Sequence, residues 1–175
     1  KDKTSNLQKK LNELNIPINI HIGSEVFFLP NLMKIRDNPL ATIGNGKYML
    51  IEFQPQIIPD SHKQIFFELK MAGITPIIAH PERYAQIQKD TSLVYDWLNA
   101  GCIIQVDAGS VLGTLGKFSY AAAENIIKNN WCQILGSDAH NNYKRNFVLK
   151  DAFHLVKKWI GDAAKPLVFD NPHSV

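Results

Sequence analysis

Two cysteines in 175 residues, Cys102 and Cys132, are too few for a disulfide framework. Each begins a short apolar run, so both are expected as buried, reduced thiols. No stretch approaches the roughly 20 apolar residues of a membrane-spanning helix, and no signal peptide is visible, which makes a cytoplasmic location without membrane insertion the expectation. Charge of one sign is also scarce. Nineteen Lys and Arg against 16 Asp and Glu leave a formal +3. The lysines are scattered, with no basic stripe interleaved with aromatics, so nucleic acid is not implied. The sequence lacks the Gly-x-Ser-x-Gly elbow of serine hydrolases, the Gly-Lys-Ser/Thr closure of a P-loop and the Cys-x5-Arg surrounding of a thiolate phosphatase. Metal-assisted attack by water is the hydrolytic route that remains. An initiating methionine is missing too: the chain opens on Lys1 and enters a helical pattern at once, so a segment upstream is expected to lie outside it.

What is present suits a single domain over residues 1–175 with a substantial core, since 45% of the residues are hydrophobic. Residues 4–15 read as a helix with a Ser5/Gln8 capping box, stopped by Pro17. Strands are expected at 18–22, 48–53, 75–79, 102–106 and 131–138. Helices are expected at 27–36, 61–71, 91–99, 119–129 and 148–160, and the tail 161–175 as irregular. Asn45-Gly46 marks a tight turn. Strand and helix alternate, which argues for an α/β fold with a parallel sheet and right-handed crossovers. A complete barrel needs roughly 250 residues and eight strands, so an open sheet and an incomplete barrel both remain open.

In such folds chemistry gathers at the carboxyl ends of the strands. Four metal-ligand side chains follow apolar runs there: Glu25, His80, Asp138 and His140. Asp138 and His140 are two apart, which on an extended chain sends both side chains to one side. His80 precedes Pro81, which biases its backbone toward extended geometry. Carboxylate and imidazole together suit manganese, iron or zinc. Arg83 and Arg145 flank these residues, and a guanidinium fork matches phosphate oxygens, so a phosphate ester is the expected substrate class. His21 and Asp107 are weaker candidates. Glu52, a charge in a buried-looking strand, is expected either to support the site from beneath or to make a strand-end contact. His62 and His154 fall in helical patterns and are expected at the surface. The loop from Gly109 to Gly116 is considered for backbone contacts to phosphate.

Three segments, Ala79-His80-Pro81-Glu82-Arg83, Gly109-Ser110-x-x-Gly113-x-x-Gly116-Lys117 and Ser137-Asp138-Ala139-His140-Asn141, resemble the bacterial polymerase-and-histidinol-phosphatase (PHP) domain tyrosine phosphatases of capsular and exopolysaccharide synthesis. Gly23-Ser24-Glu25-Val26 and Leu50-Ile51-Glu52-Phe53 resemble that family's intervening segments in the right order. The resemblance implies a distorted (β/α)7 TIM-like barrel, here incomplete at its N-terminus, with a cluster of up to three metal ions. Manganese is the ion it implies, with iron, zinc, cobalt or magnesium as alternatives. Glu25, His80, Asp138 and His140 then match metal ligands, and Arg83 and Arg145 match arginines that hold the substrate phosphate. The implied reaction is hydrolysis of phosphotyrosine on a protein, usually a bacterial tyrosine autokinase. The family's opening His-x-His motif is not found in these residues. Another PHP phosphoesterase, such as a histidinol-phosphate phosphatase, and a non-catalytic metal-binding module are the rival readings.

Overall fold

Apolar runs with β-branched residues become strands wherever both faces can be covered. The computed structural model describes residues 2–175. The chain passes through α1 (Asp2–Glu13), β1 (Glu25–Phe27), β2 (Tyr48–Glu52), α2 (His62–Met71), β3 (Thr75–Ala79), α3 (Ala85–Lys89) and α4 (Ser92–Asn99). It continues through β4 (Ile103–Asp107), α5 (Ala108–Val111), α6 (Lys117–Lys128), β5 (Ile134–Gly136) and α7 (Leu149–Ile160). Two short helices, α8 (Lys165–Val168) and α9 (Asp170–Ser174), close it.

The strands form one parallel sheet in the order β1-β2-β3-β4-β5. Register sets Val26 beside Ile51, Ile51 beside Ile78, Ile78 beside Ile104 and Val106 beside Leu135. These residues line one face of the sheet. They join Phe66 and Leu69 of α2, Val94 and Trp97 of α4, Ile126 and Ile127 of α6, and Ala152 and Val156 of α7 in one core. Each large aliphatic side chain buried there contributes about 1.5–3 kcal/mol. The order contains no reversal, so successive connections step the same way and their helices share one face. The opposite face keeps Leu50, Glu52, Ile103 and Gln105 only half-buried.

Phe53, just beyond β2, anchors the core: it is fully buried and stacks on Trp97, with ring centroids 5.8 Å apart and planes 10° apart. At Asn45-Gly46 both φ angles are positive, 57° and 87°, which turns the chain tightly so that Ile43 bridges Tyr48, the first residue of β2.

Several sequence expectations give way to packing. The strand foreseen at 18–22 is not assigned there; β1 begins at Glu25. The intervening chain runs along α1, where the Gln8 side chain donates to Ile18 O and accepts from Ile20 N, each at 2.8 Å. That occupies Gln8, and α1 starts before Ser5, so the expected capping box is not the helix start. Residues 27–36 give only a 3-10 turn at Leu32–Ile35. The tail is helical rather than irregular, because Leu167 buries its side chain and Asn171 Nδ2 donates to Gln133 O at 2.7 Å. His62 is buried, not superficial. Its Nδ1 lies 2.7 Å from Pro59 O, and its ring sits edge-on to Phe53, Phe66 and Trp97. Both cysteines are buried and free, as expected.

Candidate metal centre

β2 ends on Glu52 and β3 on Ala79, with His80 the next residue. His80 adopts φ 32°, ψ 57°, a left-handed turn into the 3-10 turn Pro81–Arg83 rather than the extended geometry that a following proline favours. Such backbone is unfavourable for a non-glycine residue and persists where its surroundings impose it. Those surroundings are visible here. The His80 side chain is 2% exposed, and Tyr84 fixes the strand ends on either side. The Tyr84 hydroxyl donates to Ala79 O at 2.6 Å and accepts the Phe53 N–H at 3.0 Å, joining the residue before His80 to the residue after Glu52.

His80 Nε2 lies 2.9 Å from Glu25 Oε1 and 3.5 Å from Glu52 Oε1. Glu25 begins β1 rather than following a strand as the sequence suggested. It pairs in register with Leu50, two residues before Glu52, so both carboxylates rise from one sheet face. One ligand atom from each of Glu25, Glu52 and His80 lies within 4.8 Å of the others. Around a divalent cation with bonds of about 2.1 Å, neighbouring ligand atoms are separated by roughly 3.0–3.4 Å. The two His80 separations, 2.9 and 3.5 Å, lie near that range and the two carboxylates are within 4.8 Å of one another, so Glu25, Glu52 and His80 form a candidate site for a divalent cation.

The hydrogen bond from His80, reinforced by the charges of His80, Arg83 and His140, holds the Glu25 carboxyl below its usual range against the effect of burial. For His80, burial pulls the imidazole pKa down, but the Glu25 hydrogen bond and the charges of Glu82 and Glu25 outweigh it, and the net direction is upward. Beneath the turn Glu82 is completely buried, and that burial pushes its pKa to about 7, with the Ser110 hydroxyl opposing. Its Oε1 accepts the Asp107 N–H at 3.1 Å.

Beside this triad stands a second group. Asp138, two residues past β5, also has a left-handed φ of 41°. Its Oδ2 accepts from Arg83 Nη1 at 2.9 Å and from Arg145 Nη2. His140 is brought back toward Asp138 by a turn, not by extended chain. Its Nδ1 donates to Asp138 O at 2.9 Å, leaving Nε2 as an acceptor, 3.3 Å from Arg145 Nη1. Asn141 shapes the loop: its Oδ1 accepts the N–H groups of Tyr143, Lys144 and Arg145. Arg145 is thereby folded back onto His140 and Asp138.

Glu25 and His80 therefore meet directly, while Asp138, His140, Arg83 and Arg145 interlock with one another. Glu52 belongs with the first pair; the signal for it was an acidic residue closing an otherwise apolar strand. His21 is elsewhere, lining a cleft with Asn45, Ile74 and His173 at the amino-terminal ends of the strands. The Gly109 N–H is committed to Asp107 Oδ1 at 2.7 Å, so at that position the glycine loop does not offer a free amide to phosphate.

Comparison with known proteins gives concordant results. Residues 1–175 match the family described as capsular polysaccharide synthesis, CpsB/CapC. The chain is 30% identical over 172 residues to the tyrosine-protein phosphatase YwqE of Bacillus subtilis, covering 98% of this chain and 68% of that protein. It is 33% identical over 153 residues to CapC of Staphylococcus aureus, covering 83% of this chain and 60% of that protein. With tyrosine-protein phosphatase CpsB of Streptococcus pneumoniae it shares 30% over 166 residues, 89% of this chain and 67% of that one. The chain thus spans about two thirds of the length of these relatives. A solved chain from the crystal structures of YwqE and CpsB, described as unique metal-dependent tyrosine phosphatases, superposes with a TM-score of 0.90. Its identity is 29%, and the match covers 98% of this chain and 70% of that one.

Proposed function

The chain belongs to the capsular polysaccharide synthesis CpsB/CapC family, and from that footing we propose that it is the metal-binding part of a protein-tyrosine phosphatase. One observation carries the reading. A carboxylate–imidazole triad suited to a divalent cation adjoins two arginines gathered on a single aspartate oxygen, so cation and phosphate ligands share one rim.

On this reading Glu25, Glu52 and His80 hold one cation, and Asp138 and His140 take part in an adjoining position. Manganese, the ion that the family resemblance implies, is the proposed one; two carboxylates and an imidazole admit it along with iron and zinc. Bound there, the cation supplies Lewis-acid chemistry, activating water for attack on phosphorus. The chain's own groups do the rest. Arg83 and Arg145 orient the phosphate and offset charge that develops on its oxygens. The Nδ1–H bond to Asp138 O fixes the His140 tautomer, keeping Nε2 available to a ligand.

The helices on one face and the unreversed strand order support a larger architecture, a PHP-type (β/α)7 barrel of which this sheet is a part. The relatives are longer than the matched segment, and a His-x-His pair from the remaining length would complete the ligand set. The substrate is taken to be a phosphotyrosine-bearing protein, with a bacterial tyrosine kinase as partner. Two buried free thiols suit the proposed cytoplasmic placement, and among the described residues no helix is long and apolar enough to cross a membrane.

The test uses protein expressed from its complete reading frame, stripped with EDTA and reloaded with Mn2+. Turnover of a phosphotyrosyl peptide should return with the metal and exceed that of histidinol phosphate. The reverse preference points to another phosphoesterase of the superfamily, and metal uptake without turnover of either substrate points to a non-catalytic module. His140→Ala with normal metal content and turnover would remove His140 from the site.

A further inference from the structure

Asp107 closes β4 and so far has no task. Its side chain is 3% exposed. One carboxylate oxygen, Oδ1, accepts the Gly109 N–H at 2.7 Å, and the backbone N–H of Asp107 is held by Glu82 Oε1 at 3.1 Å. The other oxygen, Oδ2, is buried with no hydrogen-bond partner among the described residues. Leaving a carboxylate oxygen dry and unpaired is costly. The cation beside it is Arg83, whose Nη1 lies 3.7 Å away. That same nitrogen contacts Asp138 Oδ2 at 2.9 Å. One guanidinium nitrogen therefore stands between two carboxylates, and only Asp138 belongs to the proposed metal set.

We propose that Asp107 is the positioning residue that keeps Arg83 in place for the substrate phosphate once Asp138 is committed to a cation. The proposal rests on the reading above, in which Asp138 ligates metal and Arg83 binds phosphate. A carboxylate that coordinates a divalent ion has its charge offset and its lone pairs engaged, so its attraction for an arginine falls. Without a second anchor the Arg83 side chain, 27% exposed, relaxes toward solvent. Asp107 is that anchor. Its backbone and one oxygen are pinned, its other oxygen is uncommitted, and a shift of less than about 1 Å turns 3.7 Å into a hydrogen bond. Among the described residues Arg145 has no comparable second carboxylate. Besides Asp138 it contacts His140, which belongs to the same proposed metal set. The two arginines are therefore unequal. Arg83 is fixed from below, and Arg145 adapts from a loop.

The informative variant is Asp107→Asn. Its side-chain oxygen still accepts from Gly109, its volume is nearly unchanged, and the charge facing Arg83 is gone. It is compared with Arg83→Ala and the double variant in Mn2+-loaded protein from the complete reading frame. The readouts are metal content by elemental analysis, the Kd of inorganic phosphate by calorimetry, and KM and kcat on p-nitrophenyl phosphate. Asp107→Asn should weaken phosphate binding and raise KM about tenfold, near 1.4 kcal/mol, with wild-type metal content. The double variant should bind phosphate no worse than Arg83→Ala alone, because Asp107 acts through Arg83. Wild-type phosphate affinity in Asp107→Asn, additive losses in the double variant, or loss of metal from Asp107→Asn each overturn the proposal. If Arg83→Ala itself binds phosphate normally, the role given to Arg83 is what fails, and the proposal falls with it.

Discussion

Glu82→Gln should make the metal-free protein more stable, and the gain should grow with pH. Glu82 is completely buried, and its pKa is raised from 4.5 to about 7, chiefly by that burial. A carboxyl group with a raised folded pKa binds its proton more tightly in the native state than in the unfolded chain. Its favourable contribution is therefore full below pH 4.5 and is lost as pH rises through about 7. The span corresponds to about 3 kcal/mol in total, of which about 2–3 kcal/mol falls between pH 5 and 8. Glutamine keeps an oxygen for the Asp107 N–H and does not titrate, so it escapes the loss. The assay is thermal or urea unfolding of EDTA-treated wild type and variant at a series of pH values. At about 2–4 °C per kcal/mol for a chain of this size, the Tm gap in favour of Glu82→Gln should widen by about 5–10 °C from pH 5 to pH 8. A gap that stays constant over that range refutes the assignment of a buried, titrating Glu82.

The other predictions concern the site and the core. Glu52→Gln, which preserves shape, should weaken Mn2+ affinity at least about tenfold by calorimetry, as should His80→Ala; unchanged metal binding in Glu52→Gln would exclude it from the triad. Arg145→Ala should raise the KM for a phosphotyrosyl peptide about tenfold or more, the worth of a charge-assisted hydrogen bond, while metal content stays normal. Phe53→Ala should cost about 3–5 kcal/mol in urea unfolding, because it empties a fully buried position stacked on Trp97. A loss below about 1 kcal/mol would mean the core there collapses to fill the space.

The parallel sheet and its helices were legible because buried parallel strands have a simple signature, short β-branched runs bounded by polar turns. Glycine 73, with φ +80°, ended α2 where sequence placed its end, because a left-handed cap there favours glycine. The stretch 18–22 was misread for the same reason. Its Ile-x-Ile pattern has strand character, yet Gln8 and α1 hold it away from the sheet. The sequence places His80 and Asp138 just past strands, where the structure has them, but their backbone was not foreseen. His80 and Asp138 both adopt left-handed φ values. A tertiary turn overrides the local preference for extended chain, and nothing in His-Pro or Ser-Asp-Ala-His spacing announces it. Glu82 and Asp107 illustrate a further limit. Their interest lies in complete or near-complete burial of a carboxylate, and sequence registers the residue type but not its depth.

The phenol of Tyr84 has a bearing on tuning that goes beyond packing. By gripping Ala79 on one side and Phe53 on the other, a single oxygen sets the spacing of the two peptide segments that carry His80 and Glu52. On the proposed reading a cation here would be selected by the gap between His80 and Glu52, and that gap is governed by an atom outside the ligand set. Selectivity among divalent metals would then be adjustable from the interior, by changes at position 84 that leave every proposed ligand as it is.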